Sequence, residues 1–360
     1  MRRAFESVLV ILAVAAAALP FPRPAVERLY SRGVYPLIQP RLTAFSNHLS
    51  LALFDVALIA VVVGVVTVWI AGFSTAPRGK RLRAFARVLL DTAAIGALLY
   101  FWFLAGWGLN YQRQPLRTML EFHEDRITAD ALRDLSVRDI NALNELFDAA
   151  HAQGWPELVD LSPVLHPPFA TVQHDLGMAW RAAPGRPKRS MIDFYFRRVS
   201  VDGMTDPFFL ETLANQSLLP FERPFVIAHE WGHLAGYADE SEANFFSWLV
   251  CMRGGAPEQY SAWISLYGTI VSALPPGARD GVVKALQPGP RGDLRAMAER
   301  IARQVNPAAS RAGYAVYDRF LKANRVRAGI RSYNEVIRLM LGTQFREDGT
   351  PVLKSVRAEG

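Results

Sequence analysis

Three long apolar runs occupy the first 110 residues, whereas the remaining chain mixes apolar and polar positions as globular domains do. We predict transmembrane helices at about 5–22, 49–72 and 88–108, because each run approaches the length that crosses a hydrocarbon layer of about 30 Å. Residues 23–48, between the first two runs, have the pattern of an amphipathic segment that lies at the membrane surface. The pattern thus predicts a membrane domain with three spans.

The boundary between membrane and globular parts is predicted at residue 110, which gives domains 1–110 and 111–360. A compact basic stretch, 78–87, separates the second and third runs. Short basic loops stay in the cytoplasm, so the globular domain is expected on the external face. The first run has equally the features of a secretory signal peptide, and the domain lies outside whether that run is kept or cleaved.

The globular part is predicted to be mainly helical with a small β-element, an α+β arrangement. Apolar positions recur at helical spacing over about 137–153, and Gly154 ends that helix. Residues 189–201 and 207–215 are rich in aromatic and β-branched side chains and predict short strands. The second strand is a candidate border of a substrate cleft, with Glu211 and Asn215 pointing into it or, alternatively, into solvent.

The sequence His229-Glu230-Trp231-Gly232-His233 is the strongest chemical signal in the chain. On a helix it puts two imidazoles one turn apart on one face, where they can bind one Zn²⁺. A third protein ligand would leave a position open for water, and Glu230 would act as general base and then as general acid. The pattern predicts metal-assisted hydrolysis of a peptide bond.

Three acidic residues compete for the third ligand position: Asp239, Glu240 and Glu242. Asp239 has the spacing of a metzincin ligand after Gly236, but no Met-turn sequence follows. We favour Glu240, because Glu-x-x-Ala-Asn resembles the second zinc helix of glutamate-ligand metallopeptidases. There Asn244, one turn along the same face, would orient a ligand histidine.

A transition-state oxyanion would need a donor from the C-terminal part of the chain. No histidine follows His233, so the donor there must be a tyrosine or an arginine. Tyr314, Tyr317 and Tyr333 are candidates, and Tyr317 is preferred. The alternative for each is ordinary core packing.

Several motifs together resemble a bacterial membrane-protein family catalogued as domain of unknown function 3810. They are 27–36, Trp107–Tyr111, Gly203–Phe208, the His-Glu-x-x-His with 240–245, Tyr317–Lys322 and Ser332–Tyr333. The resemblance implies three spans followed by a zincin-like, zinc-dependent peptidase domain with Glu240 at the shared acidic position. Family members often carry Pro-Phe-Thr-Gly-Glu before the zinc helix, where this chain has Pro207-Phe-Phe-Leu210-Glu211 and so lacks the turn glycine.

These observations predict a zinc metalloendopeptidase in a bacterial inner membrane, with peptide or protein substrates and the bilayer as partners. The competing class is an inactive pseudoprotease or metal-stabilised envelope scaffold, and a weaker one is hydrolysis of a non-peptide amide of the cell wall. The single cysteine, Cys251, excludes a disulfide framework. The net charge of +7 comes with no nucleic-acid-binding motif, so no such partner is expected. Oligomeric state is left open.

Overall fold

The computed structural model describes residues 1–324 and 335–354, which form a mainly helical protein with a small three-stranded sheet. The predicted fold class is confirmed at this level. The membrane-proximal part has helices α1 Arg2–Ala18, α2 Arg23–Ala25 and α3 Tyr35–Asn47, with a π-helical stretch Val26–Val34 that joins α2 to α3. Helices α4 Leu53–Ser74 and α5 Arg81–Gly106 follow.

Two helices, α4 and α5, are long and apolar enough to cross a membrane. They match the predicted spans at 49–72 and 88–108. The first predicted span, 5–22, is a 17-residue helix that reaches this criterion only together with 23–47, from which it is bent by 109°. Two helices, or three elements if the bent pair counts as one, are thus long and apolar enough to span a membrane.

The helical segment 23–47 packs into the globular domain. Tyr35 is fully buried and donates a hydrogen bond to the carbonyl of Leu234 over 2.8 Å. The hydroxyl of Thr43 donates to the carbonyl of Leu210, and Gln39 exchanges hydrogen bonds with the backbone of Ala183. Polar side chains of this segment therefore form hydrogen bonds with the globular part. The parts before and after residue 110 are packed against each other.

The globular part contains ten α-helices and three strands among its described residues. The helices are α6 Ala129–Gln153, α7 Leu161–Asp175, α8 Asp193–Val199, α9 Arg223–Leu234, α10 Glu240–Met252, α11 Ala256–Ala273, α12 Pro276–Lys284, α13 Pro288–Gln304, α14 Pro307–Ala323 and α15 Val336–Gly342. The strands are β1 Pro187–Lys188, β2 Gly203–Asp206 and β3 Glu211–Ala214.

The sheet has the order β1–β3–β2, with β1 parallel and β2 antiparallel to β3. The strand predicted at 207–215 is thus confirmed over its second half. The strand predicted at 189–201 is wrong, because α8 occupies this region. Buried Asp193, Phe196 and Val199 recur every three residues, which is a helical period, while the aromatic side chains between them are exposed.

Leu210 connects β2 to β3 with a φ of 54°, in the left-handed region that favours glycine. This is the position at which the resemblance described above implies a turn glycine. Leu210 is fully buried, so its side chain contributes apolar packing that offsets the backbone strain.

Helices α9 and α10 pack tightly against each other at the centre of the core. An added Cβ at Gly232 would lie 3.3 Å from the Cα of Ala243, so the glycine permits this close approach. Helix α9 ends as predicted, with Gly236 at a φ of 89°. This packing brings the acidic start of α10 beside the histidines of α9.

Candidate metal centre

Helices α9 and α10 bring three potential metal ligands together. His229 and His233 are one turn apart on α9, with ring centroids 4.6 Å from each other. Their Nε2 atoms lie 3.1 Å and 3.6 Å from Oε2 of Glu240, in the first turn of α10. One ligand atom from each residue lies within 4.8 Å of the others.

The second nitrogen of each imidazole faces a hydrogen-bond acceptor. Nδ1 of His229 lies 2.8 Å from Oδ1 of Asn244, and Nδ1 of His233 lies 2.7 Å from the carbonyl oxygen of Tyr237. Because a carbonyl oxygen can only accept, each Nδ1 carries the hydrogen and each Nε2 can offer a lone pair. Asn244 thus holds the orienting position expected of it.

The carboxylate of Glu240 is short of donors. Its Oε2 atom is buried and faces Nε2 of the two histidines, and no other described residue donates to it. Two imidazole nitrogens and a carboxylate oxygen therefore converge on one point. This is a donor set that suits a divalent cation such as Zn²⁺.

The other two acidic candidates point away from the histidines. Asp239 caps α10, accepting hydrogen bonds from the backbone and hydroxyl of Ser241. Glu242 accepts a hydrogen bond of 2.7 Å from the backbone N–H of Leu116. The geometry groups the histidines with Glu240 alone among the three.

Electrostatics at the cluster favour a positive charge between its ligand atoms. Burial opposes a charge on His233, but the carboxylates of Glu240 and Glu230 outweigh burial and raise its pKa to about 9. Burial also opposes the charge on Glu240, yet the neighbouring histidines hold its pKa well below the usual range. A proton or a metal ion can supply this charge, and the two compete for the site.

Glu230 lies beside the cluster and is held by strand β2. The hydroxyl of Thr205 donates to Oε2 of Glu230 over 2.8 Å and also to its backbone carbonyl over 2.9 Å. Gly203 leaves the space that the carboxylate occupies. Burial raises the pKa of Glu230, although both histidines counter the shift. The carboxylate is thus buried beside both histidines, with one oxygen hydrogen-bonded to Thr205.

Tyr317 reaches the cluster from α14, where its hydroxyl donates a hydrogen bond to Oε1 of Glu240. Tyr314, on the same helix, is exposed, and Tyr333 lies outside the described residues. Of the three tyrosines predicted as oxyanion donors, Tyr317 is thus the one that the described structure brings to the cluster, and its partner is a candidate ligand.

Comparison with protein families adds one finding. The family model described as Protein of unknown function (DUF3810) matches residues 30–341. The chain belongs to this family. No curated protein and no solved structure matches this chain. The match begins within the π-helical stretch and includes α4, α5 and the candidate metal ligands, whereas α1 and α2 precede it.

The predicted cleft residues of this DUF3810 protein serve other parts of the fold. Glu211 is 1 % exposed, and its carboxylate accepts hydrogen bonds from the backbone N–H groups of Leu53 and Phe54 and from Lys188. Asn215 is equally buried and bonds to Val201, with its oxygen accepting from Ser217. Both expected cleft positions are corrected, because burial and local hydrogen bonds occupy these side chains. Both β2 and β3 pack against α9, and β2 contacts Glu230 through Gly203 and Thr205.

Sequence reasoning also missed the residues that hold the C-terminal end of the metal helix. The indole N–H of Trp107 donates to the carbonyl of His233 over 3.0 Å, and Tyr35 serves the carbonyl of Leu234. Arg113 donates to the carbonyl of Gly236 and pairs with Glu27 of the π-helical stretch. In this DUF3810 chain the motifs 27–36 and Trp107–Tyr111 contain Tyr35 and Trp107. Neither motif indicates that these side chains contact the end of α9.

Proposed function

We propose that the protein is a membrane-anchored, zinc-dependent peptidase. The observation that carries the proposal is the convergence of Nε2 of two imidazoles on the buried Oε2 of Glu240, to which no other described residue donates. His229, His233 and Glu240 would hold the ion, and Asn244 and Tyr237 orient the rings. Glu230 next to this set supports hydrolysis, because a purely structural site needs no additional acid there.

Zinc, when bound, supplies a Lewis acid that makes water more acidic and polarises a carbonyl group. Glu230 then takes the proton of the attacking water and passes it to the nitrogen of the scissile bond. Thr205 holds one oxygen of Glu230, which leaves the other oxygen free for this proton. The raised pKa of Glu230 brings its proton affinity closer to what both transfers require.

Strand β2 offers a place for an extended substrate. It is at an edge of the sheet and pairs with β3 along one side only. A peptide that adds to this edge would run past Gly203 and Thr205, which contact Glu230. The proposed substrate is therefore a protein or peptide in extended conformation.

The basic stretch 78–87 supports a periplasmic placement of the domain in a bacterial inner membrane. It connects α4 to α5 at the ends remote from Leu53 and Trp107, which contact the globular part. Basic connectors remain cytoplasmic, so the globular part would lie on the opposite face. A reporter fused after Tyr111 that functions only in the cytoplasm would contradict this orientation.

The test uses the full-length protein in detergent, with zinc measured by elemental analysis and cleavage measured on denatured proteins. We expect one zinc per chain in the wild type and in Glu230→Gln, with cleavage lost in the variant. Glu145→Gln, an exposed change on α6, is the matched control and should cleave normally. Equal zinc without cleavage by the wild type would favour the scaffold alternative, and absence of zinc after loading would overturn the metal centre itself.

A further inference from the structure

The first turn of α4 contacts a surface that includes Ser190 and Met191. Helix α4 has 22 residues, about 33 Å at 1.5 Å per residue, and none of them is buried. Asp55, in its first turn, accepts hydrogen bonds from the hydroxyl of Ser190 over 2.6 Å and from the backbone N–H of Met191 over 2.7 Å. Residues 190 and 191 therefore lie level with one end of the apolar helix.

Large apolar side chains are exposed at this level. Met191, in the turn that precedes α8, is 55 % exposed, and Phe194, in the first turn of α8, is 63 % exposed. Exposed large apolar side chains that adjoin an apolar helix end are typical of a surface that contacts lipid. The surface is continuous with α4 through the hydrogen bonds of Asp55.

Arginines border the same surface. Arg189 and Arg197, with Ser190, Met191, Asp193 and Phe194, line an open cavity of about 260 Å³. Arg197 lies 3.3 Å from Asp193, whose other oxygen accepts from the backbone N–H of Gln216. Two carboxylates adjoin the cavity: Asp55 is engaged by Ser190 and Met191, and Asp193 by Arg197 and Gln216. Arg189 forms no ion pair with a described residue, so its charge is available to an anion. The cavity thus combines cationic donors with apolar side chains at the membrane boundary.

We propose that this cavity binds the headgroup of an anionic phospholipid, with Met191 and Phe194 inserted among the acyl chains. Arg189 and Arg197 pair with the phosphate, for which the planar guanidinium group is well suited. The lipid would hold α8 and the adjoining β2 at a set distance from the bilayer. This inference does not depend on hydrolytic activity.

The first test measures thermal unfolding of the full-length protein in a neutral detergent during addition of phosphatidylglycerol or phosphatidylcholine. We expect phosphatidylglycerol alone to raise the Tm of the wild type. Arg189→Gln/Arg197→Gln should need about 10-fold more phosphatidylglycerol for the same rise. The control Arg133→Gln/Arg303→Gln removes two charges elsewhere and should behave as the wild type. An unchanged response of the first variant, or an equal rise with inorganic phosphate, would overturn the proposal.

The second test reports on insertion. Cys251 is the only cysteine in the sequence and is buried, so Phe194→Cys can be labelled selectively with a nitroxide. In vesicles that contain phosphatidylglycerol, this label should be more accessible to oxygen than to a water-soluble nickel complex. A label at Val137→Cys, an exposed apolar position on α6, should show the opposite preference. The same preference at both sites would overturn the insertion of Phe194.

Discussion

A Cβ atom on Gly203 would lie 2.5 Å from Oε1 of Glu230. The glycine in β2 therefore defines the space in which the proposed general base sits. We predict that Gly203→Ala displaces the carboxylate and lowers kcat about 100-fold, since small errors in the position of a catalytic group have effects of this size. Zinc content should stay at the wild-type level. Gly268→Ala is the matched control, because the added carbon would meet no packed neighbour within 4 Å outside the backbone of its own helix among the described residues. Full activity of Gly203→Ala would contradict the role of Glu230.

The hydroxyl of Tyr317 donates a hydrogen bond to Oε1 of Glu240. The tyrosine could therefore orient this carboxylate or, alternatively, donate to the reacting oxygen, and a variant distinguishes the two roles. If it orients the ligand carboxylate, Tyr317→Phe should weaken zinc affinity about 10-fold, and excess zinc should restore cleavage. This is the result that we expect from the contact. A kcat that stays low at saturating zinc would instead indicate a donor to the reacting oxygen. Tyr314→Phe, on the exposed side of α14, serves as the control.

A buried ion pair joins the membrane helices to the sheet. Lys188 and Glu211 lie 2.6 Å apart with side chains no more than 1 % exposed, and Lys188 also donates to the carbonyls of Ser46 and Leu51. Lys188→Met leaves a buried, uncompensated carboxylate, which costs about 3–5 kcal/mol. We expect a fall in Tm of about 10 °C in detergent. Lys284→Met, at an exposed position of α12, should leave the Tm unchanged.

Asp139 in α6 predicts a pH dependence of stability. Its side chain is buried, and neither carboxylate oxygen has a hydrogen-bond donor among the described residues. Burial raises its pKa well above 3.8, so the folded state binds the proton more tightly than the unfolded state. Stability contributed by this proton is therefore complete below about pH 4 and is lost as pH rises through the folded-state pKa.

Comparison of variants tests this dependence. Asp139→Asn has no carboxyl group that titrates at this position. We expect its Tm, measured from pH 5 to pH 9, to fall less with rising pH than that of the wild type. Asp134→Asn removes an exposed acid from the same helix and should follow the wild type. Parallel curves for the wild type and Asp139→Asn would contradict the prediction.

The sequence was most informative where a local period determines the geometry. The four-residue spacing of His229 and His233 predicts one helical face, and Glu240 with Asn244 repeats that spacing on the next helix. The grouping of His229, His233 and Glu240 follows from these spacings and the short turn at Gly236. The lengths of the apolar runs in α4 and α5 likewise made both helices predictable as candidate membrane spans.

Long-range contacts could not be predicted in this way. Glu211 resembles a cleft residue in sequence, but its partners Leu53 and Phe54 are distant in the chain, and no periodic pattern reveals such a pairing. The aromatic content of 189–201 favours a strand, yet the region is a short helix because only every third residue is buried. For both Glu211 and the region 189–201, tertiary packing outweighed the local preference of the sequence.

The three carbonyls at the end of the metal helix receive their donors from Tyr35, Trp107 and Arg113, all of which belong to the N-terminal third of the chain. A chain in which these three residues have not yet reached their final places would leave those carbonyls unsatisfied and His233 poorly held. If the centre is the hydrolase proposed above, its assembly would wait for the N-terminal helices to pack, so an incompletely folded polypeptide would remain inactive.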